Sequence, residues 1–74
     1  MPDSFAVALF YSTSAALRAE KVVGERGIKV KLIPVPRQIS SDCGVCLRFP
    51  RDQEPQVRAV LEEARVDVQG FHSI

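Results

Sequence analysis

The two cysteines of the chain, Cys43 and Cys46, are separated by two residues, the first of which is Gly44. Thiols at this spacing can bind a metal, form a reversible disulfide, or act as a single nucleophile whose reactivity follows its thiolate fraction. The elements that hold the two residues decide which chemistry is available. Because the residues after Gly44 alternate in polarity as in a strand, we expect Cys43 in a loop and Cys46 within a strand.

The pattern of apolar residues predicts four strands and two helices in the order β-α-β-β-α-β. Strand-like patterns occur at residues 5–11, 28–33, 45–49 and 66–71, and helical spacing occurs at residues 15–25 and 52–65. This order matches the ferredoxin-like fold of the α+β class, with a four-stranded antiparallel sheet and both helices on one face. We expect residues 1–74 to form one such domain.

The predicted topology identifies neighbours for Cys43. In this fold the first two strands are parallel with the third between them, so the loop before the third strand emerges where the first strand leads into helix one. Three hydroxyl residues are candidates to cap that helix: Ser12, Thr13 and Ser14. A helix N-terminus carries about half a positive charge, which favours a thiolate and lowers a cysteine pKa from about 8.5. Cys43 is therefore the predicted nucleophile, with Arg37 adding positive charge and Gly44 leaving space for a second sulfur.

Cys46 is predicted to face the side of the sheet without helices. There it could act as a resolving thiol, take part in a subunit contact, or be only a small packing residue. We expect this helix-free face to be a partner or homodimer contact. Its predicted members are Ala6, Ala8, Phe10, Ile33, Cys46 and Phe71.

Metal and redox chemistry are alternatives for the same cysteines. A closed zinc site takes four nitrogen or sulfur ligands, and one chain offers only Cys43, Cys46 and His72, although two chains could pool their cysteines. A thioredoxin-type pair is less favoured, because its first cysteine begins a helix whereas a strand follows here. We expect no resident metal or cofactor. The sequence contains no set of residues typical of a complete enzyme.

Composition narrows the classes of partner and compartment. Ten basic and nine acidic residues give a formal net charge of +1, which provides no strong field for nucleic acid or an anionic membrane. Since no apolar run approaches the roughly 20 residues that span a bilayer, we expect a cytoplasmic protein. In that compartment paired cysteines are more often a redox, metal or carrier site than a structural disulfide. A chain of 74 residues builds only a small core, so we expect a partner to stabilise it.

Two longer segments carry a family resemblance. FYSTSAALRAEKVV and GIKVKLIPVPRQISSDCG, followed by a short strand and a closing helix, resemble the small bacterial domains described as putative selenium/sulfur carrier protein-like. The resemblance covers roughly residues 5–70 and is most specific in the PVPRxISSxCG block, residues 34–44. Cys46 departs from the family pattern, in which an apolar or small residue is common at this position.

The resemblance implies a role for each matching residue. Cys43 would carry a persulfide or selenopersulfide, and the groups that would stabilise this anion are Arg37, Ser40, Ser41 and the three helix-one hydroxyls. The implied partners are a cysteine desulfurase-like donor and an acceptor protein. The rival interpretation is a non-catalytic binding or regulatory module, since ferredoxin-like sheets serve many unrelated roles.

Overall fold

The computed structural model of the chain describes residues 4–39 and 44–74. Its elements, in chain order, are β1 (Phe5–Phe10), α1 (Thr13–Gly24), β2 (Lys31–Pro34), β3 (Val45–Pro50), a 3₁₀ turn (Arg51–Gln53), α2 (Glu54–Glu63) and β4 (Val68–Ser73). The predicted order of strands and helices is confirmed. β2 begins later than predicted because Ile28 is buried in the core before the chain joins the sheet.

The four strands form one sheet in the order β2-β3-β1-β4, and each neighbouring pair is antiparallel. Since β3 pairs with both β1 and β2, those two strands run parallel to each other. Buried residues from both helices share one core with residues of β1 and β3, so α1 and α2 cover the same face of the sheet. The predicted α+β, ferredoxin-like architecture is confirmed.

α1 begins where the hydroxyl cluster predicted a helix start. Ser12 is the N-cap residue, with extended backbone angles, and its Oγ accepts a hydrogen bond of 3.2 Å from the backbone N–H of Ala15. This bond satisfies one of the N–H groups that a helix leaves unpaired at its first turn. The helix ends at Gly24, and the turn after it contains Gly27 at a φ of 82°, in the left-handed region that glycine occupies without strain.

α2 ends in a Schellman turn with an unusual residue in the left-handed position. The N–H of Val66 donates to the carbonyl of Leu61 at 2.9 Å, and the N–H of Arg65 donates to the carbonyl of Glu62 at 3.1 Å. Arg65 has a φ of 59°, where glycine is the usual choice because a Cβ atom crowds the following carbonyl. This end of α2 therefore carries local backbone strain.

Apolar packing occupies both faces of the sheet. The larger cluster lies on the helix side and includes Ala8, Phe10, Leu47 and Phe49. A smaller cluster lies on the helix-free face, where Val7, Leu9 and Cys46 are 0%, 2% and 0% exposed. The chain thus also buries apolar side chains on the face of the sheet that has no helix in the ferredoxin-like topology.

The predicted membership of the helix-free face needs correction. Ala6, Ala8 and Phe10 pack in the helix-side cluster, and Phe71 packs against it with its ring edge-on to Phe49, 6.1 Å between centroids. The prediction for the three β1 residues was wrong because β1 is apolar at every position, so its sequence does not indicate which residues face the helices. Phe71 of β4 is the cross-strand partner of Ala8 and therefore shares its face. Ile33 and Cys46 do lie on the helix-free face, as predicted. The homodimer through this face stays a prediction.

Candidate functional site

The connection between β2 and β3 leaves the sheet at the end where β1 leads into α1. Strand register establishes this placement, because Cys46 of β3 is opposite Leu9 of β1 on one side and Ile33 of β2 on the other. Gly44, the residue before β3, and Ser12, the cap of α1, consequently lie at the same end of the sheet. The predicted position of the flanks of this loop is confirmed, and the predicted proximity of Cys43 to the hydroxyl cluster stays a prediction. Ser40, Ser41 and Cys43 lie outside the described residues.

The N-terminus of α1 provides the electrostatic feature of this end. Thr13 and Ser14 form its first turn together with Ala15, and this turn contains no acidic residue. The partial positive charge of the helix terminus is therefore not offset by a carboxylate of its own first turn. Ser12, Thr13 and Ser14 are all exposed, so the hydroxyl cluster is accessible from solvent.

Large apolar side chains flank the same helix terminus. Tyr11, directly before the cap, is 56% exposed, and Leu17, on the second turn of α1, is 53% exposed. Side chains of this size are normally more deeply buried in a domain with a well-formed core, and exposed aromatic and aliphatic residues are frequent at protein contacts. These two residues add an apolar component to an end of the molecule that is otherwise formed by hydroxyl groups and backbone.

The first half of the β2–β3 connection folds against the helix-free face. The N–H of Val35 donates to the carbonyl of Gly44 at 3.1 Å, which extends the β2–β3 pairing, and the N–H of Ile39 donates to the carbonyl of Pro36 at 3.0 Å, which closes a tight turn. Val35 and Ile39 pack against the cluster of Val7, Leu9 and Cys46. The sequence pattern predicted only a loop before the third strand and did not predict this packing. Two apolar residues within a polar, proline-bounded segment were the available signal.

Arg37 lies within that turn and is exposed. In the described part of the chain, no hydrogen bond or ion pair joins Arg37 to Ser12, Thr13 or Ser14. The segment that carries Arg37 packs on the helix-free face, whereas α1 covers the opposite face. Arg37 therefore belongs to a segment on the helix-free side of the sheet, whereas the hydroxyl cluster belongs to the helix side.

Gly44 is not crowded by the described residues. Among residues 4–39 and 44–74, no atom beyond the adjoining residues lies within 4 Å of a Cβ atom built at this position, and the backbone φ is outside the left-handed region. Neither packing nor backbone conformation of the described chain thus requires glycine here. The described residues therefore leave the space beside Gly44 unfilled.

Cys46 is deeply buried in β3, with no exposed surface. Its side chain lies on the helix-free face, as predicted, among Val7, Leu9 and Ile33. Burial makes it a packing residue of the second cluster. Its predicted role as a resolving thiol stays a prediction.

A comparison with protein families identifies the group to which this arrangement belongs. The family model described as "Putative Se/S carrier protein-like" matches residues 5–73, nearly the full length of the chain. The chain belongs to this family. Its description indicates a carrier of selenium or sulfur, and a carrier exchanges its cargo with a donor and an acceptor. Neither the curated proteins nor the solved structures include a match to this member of the Se/S carrier-like family.

Two other predictions for this Se/S carrier-like chain concern metals and membranes. Within residues 4–39 and 44–74, no group of three or more His, Cys, Asp or Glu side chains is arranged to hold a metal ion. His72, the third predicted ligand, is exposed on β4 opposite Val7. A zinc site shared between two chains would need Cys43 and stays a prediction. None of the described helices is long and apolar enough to cross a membrane.

Proposed function

We propose that this protein is a sulfur or selenium carrier in which Cys43 holds a persulfide or selenopersulfide for transfer to a partner protein. The observation that carries the proposal is the family match over residues 5–73, a range that includes Cys43. It is supported by the described flanks of the loop, which lie at the end of the sheet where α1 begins. The positive end of a helix favours the thiolate form that such a carrier needs.

The proposed reaction is an exchange of one neutral sulfur or selenium atom. The Cys43 thiolate attacks the outer sulfur of a donor persulfide, so that a new S–S bond forms at Cys43 while the donor S–S bond breaks. The donor cysteine leaves as a thiolate with the bonding electron pair. In the second step an acceptor nucleophile attacks the outer atom on Cys43, and the Cys43 thiolate leaves in the same way. No external oxidant or reductant is consumed in either step.

The surroundings of the loop suit such an exchange between two proteins. The space at Gly44 would admit a second sulfur, and Arg37 and the hydroxyl groups of Ser12 and Thr13 would interact with a persulfide anion. The exposed side chains of Tyr11 and Leu17 would give the donor or acceptor an apolar contact beside the reacting sulfur. A cysteine desulfurase-like enzyme is the proposed class of donor.

The proposal is tested by loading the purified protein from a persulfidated desulfurase and assigning the added mass to Cys43 or Cys46 by fragment ions, because one tryptic peptide, residues 38–48, contains both cysteines. Wild-type protein should gain one sulfur atom on Cys43, and Cys43→Ser should not be loaded. Cys46→Ala is the matched control, because it removes the other thiol and should keep loading at Cys43. Unchanged loading of Cys43→Ser, or loading confined to Cys46, would reject the assignment.

A further inference from the structure

A basic recess lies at the end of the sheet opposite the Cys43 loop. It has a volume of about 430 Å³ and is lined by Phe5, Lys29, Val30, Lys31, Arg48 and Pro50. Three of these six residues are cationic and none is acidic, in a chain whose formal net charge is only +1. Lys31 is the first residue of β2 and Pro34, next to the Cys43 loop, is the last. Their separation of three residues corresponds to about 10 Å along the strand. The recess is thus separate from the proposed carrier site.

Strand register brings two of the cations directly together. Lys31 of β2 is the cross-strand partner of Arg48 of β3, and both side chains lie on the helix-free face. Like charges directly opposite each other in a sheet are destabilising. In the described part of the chain, neither residue forms a salt bridge with a carboxylate. An anion bound between them would remove this repulsion.

The orientation of Arg48 is fixed by an aromatic contact. Its guanidinium carbon lies 4.4 Å from the centroid of the Phe5 ring, a cation–π geometry. Holding the guanidinium in one position reduces the conformational entropy that binding an oxyanion would otherwise cost. Phe5 and Pro50, which are cross-strand partners, are the apolar lining beside the two cations and would pack against the body of a bound molecule, whereas Val30 packs towards the helix-side cluster.

Protection of an exposed sheet edge explains only some of the three cations of the recess. β2 is an edge strand, and lysines on edge strands discourage pairing with other chains. Arg48, however, belongs to β3, which is paired on both sides. Edge protection therefore accounts for Lys29 and Lys31 but gives no reason for an arginine opposite Lys31 on an interior strand.

We infer that this recess binds a small organic phosphate monoester, with the phosphate between Lys31, Arg48 and Lys29 and the apolar part of the molecule against Phe5 and Pro50. A doubly charged head group matches a cluster of three cations better than a single carboxylate does. Arginine and lysine together are the side chains that most often bind phosphate groups. The apolar lining favours an organic phosphate over the inorganic ion.

The test is a titration of the ¹⁵N-labelled protein with phenyl phosphate, inorganic phosphate and benzyl alcohol at constant ionic strength, followed by amide chemical shifts. Phenyl phosphate should cause saturable shifts centred on residues 29–31, 48 and 49, and should bind on the order of tenfold more tightly than inorganic phosphate. Non-saturable shifts, or benzyl alcohol binding as tightly as phenyl phosphate, would overturn the inference.

Variants with matched charge changes identify the site. Lys31→Gln should weaken phenyl phosphate binding about fivefold or more, and Lys21→Gln, on the exposed surface of α1, should leave it unchanged. Lys31→Gln should also raise the melting temperature of the free protein, since it removes the repulsion with Arg48, so weaker binding would not reflect unfolding. Equal loss of binding in both variants would show a general effect of surface charge and would refute the site.

Discussion

Gly44→Ala separates the stability of the chain from the proposed transfer reaction. The backbone at Gly44 has no left-handed φ, and in the part of the chain that the structure describes an added Cβ atom would meet nothing within 4 Å apart from its chain neighbours. Replacing glycine by alanine in such a conformation stabilises a protein by about 0.4–1 kcal/mol, because the unfolded chain loses conformational freedom. For a domain of this size, the expected increase in melting temperature is about 2 to 8 °C.

The transfer reaction should respond in the opposite direction. If the space beside Gly44 admits the sulfur of a donor, a methyl group at this position would displace that sulfur by roughly 1 Å. Misplacement of a reacting group by this distance can cost on the order of 100-fold in rate. We therefore expect Gly44→Ala to lower the second-order rate of persulfide loading on the order of 10- to 100-fold while the melting temperature increases.

Gly24→Ala is the matched control for this experiment. Gly24 also has no atom within 4 Å of a built Cβ and no left-handed φ, but it lies at the far end of α1. The control should raise stability by up to about 1 kcal/mol, as expected for a helical glycine, and leave loading unchanged. Unchanged loading in Gly44→Ala would refute a role for the open space. A lower melting temperature would refute the description of the Gly44 backbone.

Two further predictions test packing and backbone strain. In native protein, Cys46 should react with iodoacetamide on the order of 100-fold more slowly than in urea-unfolded protein, because the thiol is buried; similar rates, measured on its peptide by mass spectrometry, would contradict that burial. Arg65→Gly should stabilise the protein by about 1 kcal/mol in urea unfolding by relieving the left-handed strain at the end of α2, and a loss of stability would show that the Arg65 side chain has a stabilising role that outweighs the strain.

The overall fold could be predicted because polarity patterns distinguish most of its elements. β3 alternates in polarity, and α1 and α2 show apolar residues at helical spacing, so type and order follow from the sequence. The position of the β2–β3 connection then follows from topology alone, without any side-chain detail. This is why Gly44 and Ser12 could be assigned to one end of the sheet.

The faces of β1 could not be predicted for a physical reason. The strand is buried on both sides, so Ala6 to Phe10 are all apolar and no alternation marks the helix side. The packing of Val35 and Ile39 was equally hidden, because it depends on a turn within a segment that has no regular secondary structure. The second cluster is formed by side chains of β1 and β3 together with side chains of this turn. It therefore cannot be predicted from the sequence of any one of these segments alone.

The second cluster bears directly on whether the two cysteines act as a pair. Val35 and Ile39 cover the face on which Cys46 is buried, and the same segment leads through Arg37 towards Cys43. If a partner protein reached Cys46 by displacing this segment from the sheet, Val7 and Leu9 would be exposed to water at a cost of roughly 1.5–3 kcal/mol for each side chain fully exposed. The proposed transfer at Cys43 alone needs no access to Cys46. The burial of Cys46 therefore favours a single-cysteine carrier, in which the spacing of the two thiols reflects the packing of β3 rather than shared chemistry.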